Sequence, residues 1–306
     1  FSKTNSAPTG FKDAGKLDAW AEDSMNSCDA IVFIGATGIA VRAIAPYVKD
    51  KKKDPAVVCV DDIGRFAISL LSGHIGGANR LTERIAAGIG ATPVITTATD
   101  IHGRFAVDVF STDNNMVFRG TKTAKDVSAW ILDGKEVGFL SEYPHTGSMP
   151  PELKVRDCGD IGITVSSKAA PPKPFGETLV LIPKIHVVGI GCKRGAAYES
   201  VRSLFDDTLK AADIDVKSVR AIASIDLKKD EAAIRQLSLE TGIPAVFYTA
   251  EELIDQPNVG FSKSDFVKSV TDVDCVCERA AMKASLNGRL ISGKAACNGV
   301  TAAVAR

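Results

Sequence analysis

The chain has no surplus of either charge: Lys plus Arg and Asp plus Glu each total 37 in 306 residues. It therefore lacks the basic excess usual in a nucleic-acid or membrane-surface binder, and neither partner is expected. No apolar run reaches the ~18 residues needed to cross a bilayer, and the start shows no signal-like pattern. Histidine is scarce: His74, His102, His145 and His186 stand apart, with no metal-ligand spacing among them. Seven cysteines, an odd number widely spread, form no regular disulfide framework, so a reducing cytosol is the expected compartment. Cys275-Val276-Cys277 lacks the two-residue gap and the partner pair of a zinc site. There is no internal repeat, no low-complexity tract and no Gly-x-Ser-x-Gly elbow. Ser72 and His74 are only two apart, which disfavours a covalent serine mechanism completed by Asp100. The chain opens at Phe1, not Met, with no obvious first strand; further residues are expected before it.

What is present is alternation. Residues 30–35 read as a buried strand, followed by a helix carrying Ile39, Val41, Ile44 and Ala45. Ala56 to Val60 is a second strand, ending at Asp61-Asp62. Arg65 to Leu71 leads into Ser72-Gly73-His74-Ile75-Gly76-Gly77-Ala78-Asn79, and a helix follows with Leu81, Ile85 and Ile89 on one face. Pro93 to Thr97 is a further strand. Residues 101–183 hold a helix near Ala124 to Leu132 and short strands at Glu136 to Leu140, Ile161 to Ser166 and Thr178 to Ile182. Alternation resumes with strands at Ile185 to Ile190, Val219 to Ile225 and Ala245 to Thr249, and a final pair, Arg289 to Ser292 and Val300 to Ala305, could make a hairpin. The spacing predicts an α/β chain: two α/β/α layered domains with largely parallel sheets, residues 1–104 and 184–306, joined by a small α+β middle domain, 105–183.

Candidate site residues cluster at predicted strand ends: Gly35 to Gly38, Ser72 to Asn79, Thr96 to Asp100 and Gly189 to Gly195. In open α/β sheets ligands bind outside the carboxyl ends of strands, so the first three converge if their strands are neighbours. Glycines at this density let backbone approach a ligand, and a helix opening there presents N–H groups to an anion. His74 is the acid/base candidate, since a neutral imidazole takes a proton from water. The plain alternative is that His74 only satisfies loop backbone, Asn79 caps a helix and Asp100 caps a turn. Gly189-x-Gly191 with Gly195 misses the dinucleotide spacing by one residue. Lys193 and Arg194 in that turn suit carboxylates or phosphates. Asp226 and Glu251 either line the second unit's crevice or cap helices. Lys49 to Lys53, the one obvious basic run, reads as a solvated loop.

Phe33-Ile34-Gly35-Ala36-Thr37-Gly38-Ile39-Ala40-Val41-Arg42 resembles a segment of the cobalt-precorrin 5A hydrolase family, the CbiG proteins of anaerobic cobalamin biosynthesis. Leu70 to Asn79 and Gly90 to Asp100 match that family's most specific stretch. Gly189 to Gly195, Ser224 to Lys228 and Ala302 to Arg306 resemble its C-terminal domain. The family's opening strand is not recognisable before Phe1, and Gly293 to Gly299 departs from its lysine-rich loop. The resemblance implies a hydrolase that opens the ring A δ-lactone of an anionic cobalt tetrapyrrole and releases acetaldehyde. It implies no cofactor, because cobalt travels in the substrate, and other cobalamin-pathway enzymes as possible partners. For that chemistry the residues themselves offer His74 to activate water, the Gly76 and Gly77 N–H groups to hold the oxyanion, and Asp100 or Asp61 to orient His74 or handle the later proton transfers. Thr37, Gly38, Arg42, Ser72, Gly73, Asn79, Thr97, Gly191, Lys193 and Arg194 are expected to bind substrate. A corrinoid carrier with no catalysis is the competing reading; a nucleotide-binding protein is a third.

Overall fold

A computed structural model describes residues 15–50, 53–74, 76–97, 104–255, 260–285 and 288–306. They fall into two compact units: residues up to Thr112 with Ser128–Lys135, and Asp113–Val127 with Glu136–Arg306.

The first unit is built on a four-stranded sheet of β1 (Ala30–Ile34), β2 (Ala56–Val60), β3 (Phe66–Leu71) and β4 (Thr92–Val94), in that spatial order. Helices α1 (Leu17–Ser27) and α2 (Thr37–Ile44) pack on one face, over Ile31, Phe33, Val57 and Cys59. Helix α3 (Ala78–Ile89) covers Val58, Val60 and Ala67 on the other. Strand β2 is buried along its whole length, as a strand with helices on both faces must be, which is why its sequence is an unbroken apolar run. Helix α1 precedes the first element that the sequence pattern predicts.

The strand directions matter most. β1 and β2 are parallel, and β3 and β4 are parallel, but β2 and β3 are antiparallel. Only five residues separate β2 from β3, too few for a crossover, so the chain doubles back as a hairpin. Asp61 makes that turn: its Oδ1 accepts the Phe66 N–H at 2.6 Å, and its carbonyl accepts the Gly64 N–H.

In the second unit, β5 (Met116–Arg119), β6 (Val137–Ser141), β7 (Leu153–Val155), β8 (Gly159–Val165) and β9 (Phe175–Pro183) form a sheet in the order β5-β9-β8-β6-β7. In sequence, helix α4 (Val107–Asp113) precedes β5, and α5 (Thr121–Leu132) lies between β5 and β6. The short strands β5 and β7 escape a reading by periodicity.

β10 (His186–Cys192), α6 (Tyr198–Ala211), β11 (Val219–Ile225), α7 (Ala232–Thr241) and β12 (Ala245–Tyr248) are a βαβαβ run of parallel strands. Helices α8 (Ala250–Ile254), α9 (Asp265–Thr271) and α10 (Val276–Ala284) follow, then the antiparallel pair β13 (Leu290–Cys297) and β14 (Val300–Ala305), with β14 beside β10. The fold class is thus mixed α/β with mostly parallel pairing, as the sequence predicts. Among the described residues no helix is long and apolar enough to cross a membrane.

Candidate functional site

The antiparallel β2–β3 pair separates the expected crevice into two ends. Gly35, Thr37, Gly38 and Asp61 stand at the carboxyl ends of β1 and β2, where Ile34 pairs with Val60. The Ser72–Asn79 loop and Thr97 follow the carboxyl ends of β3 and β4, at the opposite edge, where Leu71 pairs with Val57. A five-residue strand sets these edges roughly 16 Å apart. The conditional convergence of three clusters does not occur: two of them meet. Asp61, committed to the hairpin turn at the far end, is not in place to orient His74. Asp100, with Ala98 and Thr99, lies outside the described residues, as does Ile75.

At the His74 end the polar centre is Asn79, 8% exposed on the first turn of α3. Its Oδ1 accepts the Ser69 hydroxyl at 2.7 Å, and its Nδ2 donates to Thr97 Oγ1 at 3.0 Å. The amide therefore bolts β3 to the segment after β4. Gly73 is required for this: a Cβ there would lie 2.7 Å from Asn79 Oδ1. Gly76 is required for Ser72, whose Cβ would be 2.4 Å from one on Gly76. Ser72 holds a left-handed φ of 57°, a cost that its Oγ hydrogen bond to the Asp54 carbonyl (3.0 Å) helps offset. Gly77 has φ 83° at the helix entry, where a side chain would be strained.

The loop's N–H groups are largely turned inward. The His74 carbonyl accepts the Gly77 N–H, Ser72 the Ala78 N–H and Gly73 the Asn79 N–H, at 3.0, 3.1 and 3.0 Å. The Gly77 N–H, expected as an oxyanion donor, is taken up in this way. Two of the glycines serve packing around Asn79 and Ser72, and the helix entry is less an open anion cradle than the sequence suggests. His74 is half-buried in this loop. Sequence reasoning missed Ser69 and Asp54: Ser69 is the one polar residue inside the apolar strand β3, a faint signal for a buried hydrogen bond, and Asp54 is hidden at the end of a charged run.

At the other end, Thr37 Oγ1 contacts Cys59 Sγ at 3.7 Å, and that thiol donates to the Gly35 carbonyl at 3.3 Å. Burial pushes the Cys59 thiol up from its ordinary range, with the Thr37 contact opposing. Gly38 and Arg42 are exposed on α2.

Gly191, Lys193 and Arg194 belong to the second unit. Gly189 and Gly191 are small for packing: a Cβ on Gly189 would meet the Cys277 carbonyl of α10 at 1.9 Å, and one on Gly191 would meet Thr301 Oγ1 at 2.7 Å. Close approach of α10 to Gly189, and of the Thr301 side chain on neighbouring β14 to Gly191, explains this pair without a phosphate. Lys193 donates its N–H to the Gly299 carbonyl at 2.9 Å and lays its stem across that glycine; Arg194 is exposed. The Gly195 N–H donates to Glu231 at 2.9 Å, and Glu231 also pairs with Lys228 at 3.3 Å.

Asp226 and Glu251 do line one cavity, of about 340 Å³, with Thr249 just after β12 and Asp272 at the end of α9. Three carboxylates around it repel a polyanion, so this cavity is ill suited to a polycarboxylate. On the first turn of α10, Glu278 (3% exposed) accepts hydrogen bonds from Ser262 N–H and Oγ, the Lys294 N–H and the Cys275 thiol. Cys275 and Cys277 are buried with Phe261 and Met282, a packing environment.

Similarity to known sequences extends over most of the chain. The family models for the cobalamin synthesis G N-terminal region, the cobalamin biosynthesis central region and the cobalamin synthesis G C-terminus match residues 19–100, 105–183 and 186–305. The chain belongs to the cobalamin synthesis G family. The cobalt-precorrin-5A hydrolase of Priestia megaterium is 35% identical over 279 residues, covering 84% of this chain and 72% of that protein. That of Salmonella typhimurium LT2 is 36% identical over 298 residues, covering 92% and 83%. The solved cobalamin biosynthesis protein G homolog of Sulfolobus solfataricus is 24% identical, covers 90% of this chain and 81% of its own, and has a TM-score of 0.38.

Proposed function

We propose that this chain is a cobalt-precorrin-5A hydrolase of cobalamin biosynthesis, acting in the cytosol on a polyanionic cobalt tetrapyrrole. The observation that carries the reading is identity of 35–36% with two hydrolases of that name over most of the chain. All seven cysteines are free, in keeping with a reducing compartment.

The reaction is read as opening of the ring A δ-lactone, followed by release of the extruded two-carbon unit as acetaldehyde. Water attacks the lactone carbonyl carbon, the carbonyl becomes a tetrahedral oxyanion, and its collapse expels the ring alkoxide. His74 takes the proton of the attacking water and returns it to the departing alkoxide. With the Gly77 N–H occupied, the oxyanion falls to the Gly76 N–H and the Thr97 hydroxyl. Thr97 Oγ1 accepts from Asn79 and so keeps its own proton to donate. Asp100 is the remaining carboxylate candidate to orient His74. Cobalt is part of the substrate, and the protein supplies no cofactor in this scheme. Arg42 on α2 and, separately, the exposed Lys193 and Arg194 of the second unit each suit carboxylates.

The test is an anaerobic assay of the purified protein with fresh cobalt-precorrin-5A, reading acetaldehyde. Stoichiometric binding with no acetaldehyde would replace the enzyme reading by that of a carrier.

A further inference from the structure

The segment entering β2, Lys49-Asp50-Lys51-Lys52-Lys53-Asp54, carries four lysines and two aspartates. Its described residues are folded by Asp54, which is 7% exposed. The Asp54 carboxylate accepts the Lys49 N–H at 3.1 and 3.0 Å and the Asp50 N–H at 3.0 Å. The Asp50 carbonyl in turn accepts the N–H groups of Lys53 and Asp54, at 2.9 and 2.8 Å. Asp54 thus directs its charge onto backbone amides. Lys49 Nζ donates to the neutral Asn26 Oδ1 at 3.2 Å, which leaves its charge uncompensated by that contact. Lys53 is exposed.

The loop is also fixed in place. The Asp54 carbonyl accepts the Ser72 hydroxyl at 3.0 Å, and Ser72 is two residues before His74. Lys53, next to the anchor, and His74 therefore share one edge of the sheet. A loop that merely dissolves its charges in solvent needs neither the buried carboxylate nor the tie to a residue held at a left-handed φ.

We infer that Lys49 and Lys53 form a cationic lip on the His74 edge that receives peripheral carboxylates of the substrate. The inference rests on the proposed tetrapyrrole hydrolase reading and assigns it a binding surface. Compact ammonium groups on flexible stems suit several carboxylates around a macrocycle rim, where no single bidentate geometry recurs. Exposed charges act at modest strength and are screened by salt, so the lip contributes to capture and orientation, not to the chemical step.

The test titrates the full chain with uroporphyrin, an octacarboxylate tetrapyrrole, following porphyrin fluorescence at low and high salt, with KM and kcat for cobalt-precorrin-5A measured in parallel. Lys53→Glu is compared with Lys210→Glu, an exposed position on α6 that makes the same change in net charge. The expected result is about three- to ten-fold weaker binding and higher KM for Lys53→Glu at low salt, a gap that closes at high salt, and unchanged kcat. Lys210→Glu binds as the wild type does. Equal affinity of Lys53→Glu and wild type, with wild type binding, would overturn the lip alone. No binding or turnover by the wild type would overturn the tetrapyrrole reading and the lip together. Matching melting curves for Lys53→Glu and wild type exclude misfolding as the cause of a loss.

Discussion

Asn79 occupies the space that a side chain on Gly73 would need: its Oδ1 lies 2.7 Å from the position of a Gly73 Cβ. The same oxygen accepts the Ser69 hydroxyl, so the amide cannot swing away without breaking that bond. Gly73→Ala therefore strains the loop at its polar centre. The expected cost is about 1–3 kcal/mol, seen as a lower melting temperature, with loss of turnover. Asn79→Ala alone leaves Ser69 and Thr97 without their partner. The double variant Gly73→Ala/Asn79→Ala regains stability relative to the sum of the single changes, because the clash is gone, but regains no activity. Strict additivity in that cycle would show that Gly73 is glycine for another reason.

Asp61 and His74 stand at opposite edges of one sheet, so they are separable by substitution. Asp61→Asn weakens the bond to the Phe66 N–H that closes the β2–β3 turn. A stability loss of about 1 kcal/mol is expected, with kcat and its pH profile unchanged. A large fall in kcat without a stability change would return Asp61 to the mechanism.

His186 supplies a pH dependence to the second unit. It is 3% exposed, with Nδ1 2.9 Å from Ser218 Oγ. Burial, with the Arg306 charge beside it, lowers its pKa from 6.5 to about 4. The unfolded chain therefore binds a proton near pH 6.5 that the folded chain refuses until about pH 4. Its contribution is fully present above pH 6.5 and falls away towards pH 4, by about 3 kcal/mol. His186→Asn flattens this part of the stability profile, measurable by urea unfolding between pH 4 and 7.5. An unchanged slope in the variant would contradict the assignment.

Glu278 works in the same direction at lower pH. Burial alone raises its pKa, but hydrogen bonds from the Cys275 thiol, the Lys294 N–H and Ser262 outweigh burial and hold it below the usual carboxylate range. Its contribution is present at neutral pH and lost as pH falls through that lowered value. Glu278→Gln is expected to lower stability at pH 7 by about 2–4 kcal/mol and to remove the most acidic part of the dependence. Equal melting temperatures for Glu278→Gln and wild type at pH 7 would rule out this role.

Strand–helix alternation and the apolar run at Ala56 to Val60 were legible in the sequence because burial on both faces leaves a plain pattern; the closing hairpin was legible as a pair of strands, but β13 runs on to Cys297, well past the Ser292 that the sequence suggests. Strand direction was not. The five residues from Asp61 to Arg65 are the only hint that β3 runs backwards, and that reversal divides the expected crevice. The glycine pattern of the 72–77 loop was legible as a constraint but not in its cause. Whether a glycine makes room for a ligand or for Asn79 depends on a contact six residues along the chain and a helix entry away. Ser69 and Asp54 left almost no mark, since a single serine inside a strand reads as an ordinary half-exposed position and an aspartate at the end of a lysine run reads as one more solvated charge.

The most direct measurement is acetaldehyde release from cobalt-precorrin-5A under anaerobic conditions, by wild type and His74→Gln, with substrate binding followed in parallel. The account predicts catalytic release by wild type, and a fall of at least about a hundredfold in His74→Gln with affinity within a few-fold of wild type. Undiminished release by His74→Gln would remove His74 as the base and contradict the reading of this edge of the sheet as the catalytic site.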